Sequence, residues 1–215
     1  MTRVKICGLT REEDVRFACA AGADAVGFVM VPGTQRAVTP ERVRELGRSA
    51  HPFVLTVGVI RDQSLEEAIA LADRSGVHAL QLHGSESPDV ALALKRARPG
   101  LAVFKALQLR EPSDLGGLSA WAGLDALLLD SGGGTGRPFD WDWLAGVDWP
   151  AMPVIVAGGL TPENVSDLLA RLRPEAVDVS SGVEEGPGRK APDRVRAFIE
   201  QVHRTPGFAS PKRRV

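Results

Sequence analysis

The chain alternates between two patterns of hydrophobic and polar positions. Short runs of apolar and β-branched residues are each followed by a longer segment whose apolar positions recur at helical spacing. Runs that are apolar at nearly every position are typical of parallel strands covered on both faces. The runs predict strands at Val4–Cys7, Ala25–Met30, Phe53–Ile60, Ala79–Leu82, Ala102–Ala106, Ala126–Asp130, Val154–Ala157 and Ala176–Ser180.

Start signals mark several of the helical segments. Thr39 and Thr161 each precede a Pro-Glu pair, which predicts threonine at the N-cap and proline at the first helical position. The segment that begins at Thr10 has Glu13 three residues on and predicts a capping box.

Repeated strand–helix units without a dividing linker predict an α/β fold, a single-domain (β/α)8 TIM barrel. An open doubly wound sheet is the alternative, but such sheets usually have about five or six strands and a Gly-x-Gly-x-x-Gly turn after the first. No such turn follows the first strand here. We expect the barrel over residues 1–205 and a flexible basic tail over residues 206–215.

The charge and composition of the chain argue against several classes of binding partner. The formal net charge of −1 argues against non-specific nucleic-acid binding, which needs a basic face. No apolar run approaches the roughly 20 residues of a membrane span, and the N-terminus leads directly into a strand pattern, so we expect a cytoplasmic protein. The four histidines and two cysteines lack the spacing of metal ligands, so no metal is predicted.

The carboxyl ends of barrel strands face the active site, and two reactive side chains lie at such ends. Cys7 closes the first strand run and is a candidate general base, although a buried structural thiol is the commoner fate of a free cysteine. Asp130 ends an otherwise apolar run and is a candidate general acid, with loop bracing or helix capping as the alternative.

Glycine and serine follow the seventh and eighth strand runs. The loops after these two strands often form a phosphate site in barrels, with backbone amides facing the anion. The alternative is that the glycines only make tight turns. We predict phosphate binding by Gly158, Gly159, Ser180, Ser181 and Gly182.

Other polar residues at this rim are candidate substrate contacts. Arg36 lies on the loop after the second strand run and could hold a carboxylate with two hydrogen bonds, or be an ordinary surface arginine. His83 could contact substrate or brace its loop, and Asp178 near the end of the eighth strand run is a further substrate-binding candidate. The glycine-rich segment 131–139 predicts a lid through Gly133, Gly134, Thr135 and Gly136.

An ordered set of motifs from residue 3 to about residue 200 resembles the phosphoribosylanthranilate isomerase family of tryptophan biosynthesis. The motifs are Val4–Thr10, Gly27–Val29 with Arg36, Gln81–Gly84, Leu128–Asp130 with Gly133–Gly136 and Phe139–Trp141, Ala157–Val165, and Val177–Glu184.

The resemblance implies an Amadori rearrangement of a phosphorylated, ribose-bearing anthranilate without a cofactor. It implies that Asp130 is the general acid, that Cys7 is the general base, and that Arg36 holds the anthranilate carboxylate. It also implies a monomer or homodimer whose partner is a small phosphorylated substrate. In the family, the loop after the eighth strand commonly reads Pro-Gly-x-Lys-Asp. This chain has Ala191 in place of the aspartate, and the missing carboxylate is expected to affect loop bracing alone.

Three other functions are alternatives for a barrel of this kind. A metal-dependent epimerase of ribulose phosphate needs a set of His and Asp ligands, and a thiamin-phosphate synthase needs a carboxylate cluster for magnesium. Neither set stands at the predicted strand ends. A catalytically silent scaffold barrel is the third, and the presence of both Cys7 and Asp130 argues against it.

Overall fold

Eight parallel strands form a closed barrel in the computed structural model, which describes residues 1–131, 140–144, 147 and 151–205. Each strand pairs with its neighbours in chain order, and β8 pairs with β1 to close the ring. The strands are β1 Arg3–Ile6, β2 Ala25–Val29, β3 Leu55–Ile60, β4 Ala79–Leu82, β5 Ala102–Gln108, β6 Ala126–Asp130, β7 Val154–Val156 and β8 Ala176–Val179. The predicted TIM barrel is therefore confirmed.

Helices and short turns connect the strands. The α-helices in the described ranges are α1 Glu12–Ala21, α2 Pro40–Gly47, α3 Leu65–Ser75, α4 Pro88–Ala97, α5 Val165–Arg171 and α6 Pro192–Arg204. Two short 3-10 helices, Pro112–Leu115 and Leu118–Trp121, take the place of an α-helix between β5 and β6. Two more 3-10 helices span Trp141–Leu144 and Ser181–Val183. A small antiparallel hairpin, β9 Glu184–Gly186 and β10 Arg189–Lys190, lies between β8 and α6.

The apolar core has two layers, as strand alternation requires. The larger layer lies between the strands and the helices, and it includes Val4, Ile6, Phe28 and Phe198. The smaller layer fills the barrel from the β3–β7 side with Val57, Ala79, Phe104, Ala106, Ala126, Leu128, Ile155 and Ala157. The interior near β1 and β8 is filled differently, because Lys5 and Asp178 are buried there.

All eight predicted strands are present, with ends that differ by at most two residues. Thr39 caps α2 as predicted, because its side chain accepts a hydrogen bond from the backbone of Arg42. The capping box at Thr10 is wrong: α1 begins after Arg11, and the Thr10 hydroxyl donates to the carbonyl of Gly188 instead. Thr161 is not an N-cap either, because its segment forms a turn and α5 begins after Asn164.

The helices in the described part of the chain are short. Its longest helix, α6, has 13 residues, and none of the helices there combines the length and the apolar character that crossing a bilayer requires. The predicted lid residues Gly133, Gly134, Thr135 and Gly136 lie outside the described residues, as does the predicted tail over 206–215.

Ala191 is the N-cap residue of α6. Its backbone is extended and its methyl side chain cannot accept a hydrogen bond, so the helix begins without a side-chain cap. Pro192 follows at the first helical position. An aspartate at this position has a side chain that can cap the helix, besides the loop-bracing role expected from the sequence.

Ala191→Asp and Ala191→Asn should each raise the free energy of unfolding by about 0.5–2 kcal/mol, because both side chains can accept from the first turn of α6. Urea unfolding followed by circular dichroism measures the change. Ala191→Val is the control, since valine offers no acceptor. Equal stability of all three variants would contradict the capping role.

Candidate active site

A thiol and a carboxyl group lie at the carboxyl-end rim of the barrel. Cys7 directly follows β1, and Asp130 is the last residue of β6. Cys7 is 7% exposed and Asp130 is 9% exposed, so the thiol and the carboxyl group are largely shielded from solvent. Because β7 and β8 separate β6 from β1 in the ring, the two groups stand on different sides of the barrel mouth.

A buried ion pair lies beneath Cys7. Lys5 Nζ is 2.9 Å from Asp178 Oδ2, and the two residues are register partners across the β1–β8 junction. Burial by itself would lower the pKa of the Lys5 ammonium, but the charges and hydrogen bonds of Asp178 and Cys7 together outweigh it and raise that pKa above its ordinary value. Asp178 Oδ1 is buried, and no described residue donates a hydrogen bond to it. The ion pair therefore leaves one buried carboxylate oxygen unsatisfied by the described residues.

The surroundings of Cys7 keep its thiol protonated in the free protein. Burial raises the thiol pKa above its ordinary value, and the charge of Asp178 adds to the effect. Lys5 and Lys190 act in the opposite direction, because their positive charges favour the thiolate. Gly27 allows this packing, since a Cβ there would lie 2.8 Å from Cys7 Sγ. The thiol therefore lies among cations that stabilise its charged form once a proton is removed.

His83 connects Asp130 to the end of β4. His83 Nε2 lies 3.4 Å from Asp130 Oδ2, and Gln81 Nε2 lies 3.1 Å from His83 Nδ1. The Gln81 NH2 group donates to Nδ1, so the neutral ring carries its hydrogen on Nε2. That tautomer directs an N–H towards Asp130. His83 is thus placed beside the candidate acid.

The two predicted phosphate loops lie against each other. Gly158 and Gly159 follow β7 with φ of 86° and 65°, in the left-handed region. Gly182 packs on the same loop so closely that a Cβ would lie 1.9 Å from the carbonyl oxygen of Leu160. Arg194 donates to the Gly182 carbonyl oxygen at 2.9 Å and holds the second loop in place. Ser180 and Ser181 stand between β8 and this contact, so all five predicted residues belong to one pair of adjoining loops.

Arg36 is paired within the protein. Its Nε donates to Glu184 Oε1 at 2.9 Å and its Nη2 donates to Glu184 Oε2 at 2.5 Å. Gly8 lies against the same arginine, since a Cβ on Gly8 would be 2.6 Å from Arg36 Cδ and 2.8 Å from Ser180 Oγ. The loops after β1, β2 and β8 therefore meet at this point.

Three charged residues at the site were not among the sequence candidates: Lys5, Glu184 and Lys190. A signal existed for Lys5, because strand alternation places it on the same face as Cys7 two residues later. Glu184 and Lys190 lie in segments that carry the family resemblance, but only the tertiary fold brings their hairpin to the rim. Within the described ranges, no group of three or more His, Cys, Asp or Glu side chains could hold a metal ion.

Comparison with known proteins identifies the family. The family model for N-(5'-phosphoribosyl)anthranilate isomerase matches residues 4–201. The chain belongs to this family. An N-(5'-phosphoribosyl)anthranilate isomerase of Chromohalobacter salexigens is 46% identical over 210 residues, which cover 95% of each chain.

Solved structures of the isomerase family share the barrel. A phosphoribosyl anthranilate isomerase in complex with reduced 1-(o-carboxyphenylamino)-1-deoxyribulose 5-phosphate has a TM-score of 0.86 and 35% identity, over 94% of this chain and 99% of that one. A monomeric form of the dimeric isomerase from Thermotoga maritima has a TM-score of 0.85 and 34% identity, over 94% and 99% of the chains. The match to the isomerases therefore extends over nearly the full barrel.

Gly182→Ala should destabilise the isomerase by about 1–3 kcal/mol, because the added methyl group collides with the Leu160 carbonyl and separates the two loops. Gly186→Ala is the matched control, since a Cβ there meets no atom within 4 Å. Urea unfolding of both variants measures the difference. If the two variants were equally stable, the packing of these loops would be incorrectly described.

Alkylation of Cys7 by iodoacetamide should accelerate by about tenfold per pH unit between about pH 6 and about pH 9, because only the thiolate reacts and the raised thiol pKa keeps its fraction small. Cys19→Ser makes Cys7 the single thiol, so mass spectrometry can follow it without interference. A rate that levels off near neutral pH would show that the cations outweigh burial.

Proposed function

We propose that this chain converts N-(5'-phosphoribosyl)anthranilate into 1-(2-carboxyphenylamino)-1-deoxyribulose 5-phosphate, the third step from chorismate in tryptophan biosynthesis. Family membership supports the reaction. The observation that carries the mechanism is the position of Cys7 and Asp130 on different sides of one barrel mouth. An acid and a base so placed suit a proton shift along a sugar bound between them.

Asp130 starts the reaction as general acid. Its proton passes to the ring oxygen of the ribose, the bond from that oxygen to C1 breaks, and the nitrogen lone pair forms an iminium ion. His83 supports this step from 3.4 Å, because an N–H on Nε2 stabilises the carboxylate that remains. Gln81 holds the ring of His83 in that orientation.

Cys7 completes the rearrangement as general base. The iminium ion makes the C2 proton acidic, and the thiolate removes it to give an enolamine. The enolamine becomes the ketone when C1 gains a proton and the C2 hydroxyl loses one, so the overall proton count is unchanged. Lys5 and Lys190 compensate part of the cost of forming a buried thiolate, and a small thiolate fraction is sufficient if the proton-transfer geometry is good.

The remaining residues bind the substrate. The backbone amides and hydroxyls of the paired loops, at Gly158, Gly159, Ser180, Ser181 and Gly182, take the phosphate. Left-handed backbone at Gly158 and Gly159 exposes main-chain atoms without a Cβ in the way. Arg36 takes the anthranilate carboxylate, and the buried Asp178 Oδ1 accepts a hydrogen bond from a sugar hydroxyl.

We further propose a cytoplasmic enzyme that acts on a small phosphorylated substrate. A monomer or a homodimer remains the predicted state of assembly. The loop from Gly133 to Gly136 remains the predicted lid.

Cys7→Ser and Asp130→Asn should each lower kcat by about 10²–10⁴-fold, because each removes a proton-transfer group and leaves the shape of the site nearly unchanged. Loss of anthranilate fluorescence from freshly prepared substrate measures the rate. Cys19→Ser and Asp142→Asn are matched controls on the helical segments and should keep the wild-type rate. Near-native turnover by both site variants would refute the assigned roles, and an inactive wild-type protein would favour a scaffold barrel.

A further inference from the structure

Glu184 is a buried carboxylate on which two cations converge. Besides the two bonds from Arg36, Glu184 Oε1 accepts a hydrogen bond from Lys190 Nζ at 2.8 Å. The side chains of Glu184 and Lys190 are 5% and 2% exposed, whereas that of Arg36 is 26% exposed. Burial would raise the carboxyl pKa, but the hydrogen bonds and charges of Arg36 and Lys190 hold it below its ordinary value. Glu184 is therefore ionised and fixed from two sides.

The pairing occupies only one edge of the Arg36 guanidinium. Glu184 takes the edge formed by Nε and Nη2, and a guanidinium has five N–H groups in a planar fork. No hydrogen bond from Arg36 Nη1 to another described residue is present. The second edge, formed by Nη1 and Nη2, can therefore bind another carboxylate with two hydrogen bonds while the first edge stays on Glu184.

The hairpin that carries Glu184 is anchored to the first barrel unit. Thr10 donates its hydroxyl to the Gly188 carbonyl at 2.7 Å, and the backbone of Lys190 donates to Asp14 Oδ2 at 3.2 Å. Lys190 Nζ also donates to the Ser180 carbonyl at 3.1 Å, which connects the hairpin to the predicted phosphate loop. Glu184 is thus held by backbone elements that flank the site.

The charges favour an anionic ligand at this position. Arg36 and Lys190 carry two positive charges and Glu184 carries one negative charge, which leaves one positive charge uncompensated within the group. Burial lowers the pKa of Lys190, and Glu184 partly offsets this effect. A ligand carboxylate on the second edge of Arg36 would balance the remaining charge.

We propose that Glu184, held by Lys190, is a positioning residue that directs the second edge of Arg36 at the carboxylate of the substrate's aromatic ring. This inference rests on the proposed function and goes beyond it. It assigns the recognition of that carboxylate to three residues that act together: Lys190 holds Glu184, and Glu184 orients Arg36. The opposite role, in which Glu184 competes with the substrate for Arg36, requires Glu184 to move away. That movement would leave the buried Lys190 ammonium without its carboxylate, at a high cost.

The test compares two ligands that differ in one carboxyl group. One is reduced 1-(o-carboxyphenylamino)-1-deoxyribulose 5-phosphate, and the other is the same compound without the ring carboxyl. Calorimetric titration of Glu184→Gln should show a loss of affinity of about 10-fold to 100-fold for the first ligand and less than about twofold for the second. KM for the substrate should rise with little change in kcat, because the carboxylate is bound alike in ground and transition states.

Variants on the same hairpin serve as comparisons. Glu184→Asp keeps the charge on a shorter side chain and should show the same carboxyl-dependent loss. Lys190→Met should reproduce it more weakly, and Lys190→Arg should restore most of the affinity. Glu185→Gln is the matched control, because Glu185 is an exposed neighbour that pairs with Arg189 and should leave both affinities unchanged.

Equal losses for both ligands in Glu184→Gln and Glu184→Asp would overturn the proposal, since a merely structural role affects both alike. Tighter binding of the carboxylated ligand by Glu184→Gln would also overturn it and indicate competition. Failure of the proposed function has a separate signature, because the wild-type protein would then neither isomerise the substrate nor bind either ligand.

Discussion

The ion pair between Lys5 and Asp178 is the interaction on which the candidate site depends. It joins β1 to β8, where the barrel closes, and it occupies the part of the interior that apolar side chains do not fill. Burying two charges is costly, and removing either partner alone would leave an uncompensated charge in the interior. The pair is therefore better understood as part of the site than as a source of stability. It puts an ammonium group next to Cys7 and leaves one buried carboxylate oxygen without a hydrogen-bond donor among the described residues.

The rest of the site is arranged around this junction by contacts between loops. The turns after β7 and β8 touch at Gly182 and Leu160, and the loops after β1, β2 and β8 meet at Gly8, Arg36 and Ser180. Neither contact leaves space for a larger residue without movement. The cations of Lys190 and Arg36 share one carboxylate, that of Glu184. The hairpin that carries Glu184 is hydrogen-bonded to Asp14 in α1. Charge and packing thus place the base near the predicted phosphate loops. The acid also lies against one of these loops, since a Cβ on Gly158 would be 2.8 Å from Asp130 Oδ1.

Much of the fold could be predicted from the local pattern of apolar and polar residues. Eight apolar runs predicted eight strands to within two residues, because burial on both faces leaves few polar positions in a parallel strand. The positions of Cys7 and Asp130 followed from the rule that strand ends line the mouth. Caps were less predictable: Thr39 caps its helix, but Thr10 and Thr161 use their side chains and backbones in loop contacts that a short sequence window cannot reveal.

The sequence by itself determined the barrel, the order of its strands, and the two strand ends that carry the thiol and the carboxyl group. Tertiary structure alone decided the partners of these groups. Lys5 and Asp178 are 173 residues apart in the chain, and Arg36 and Glu184 are separated by 148. The physical reason is that hydrophobic periodicity shows only which positions of one segment are buried. An ion pair between distant segments depends on the closure of the ring, which brings the first and last strands side by side.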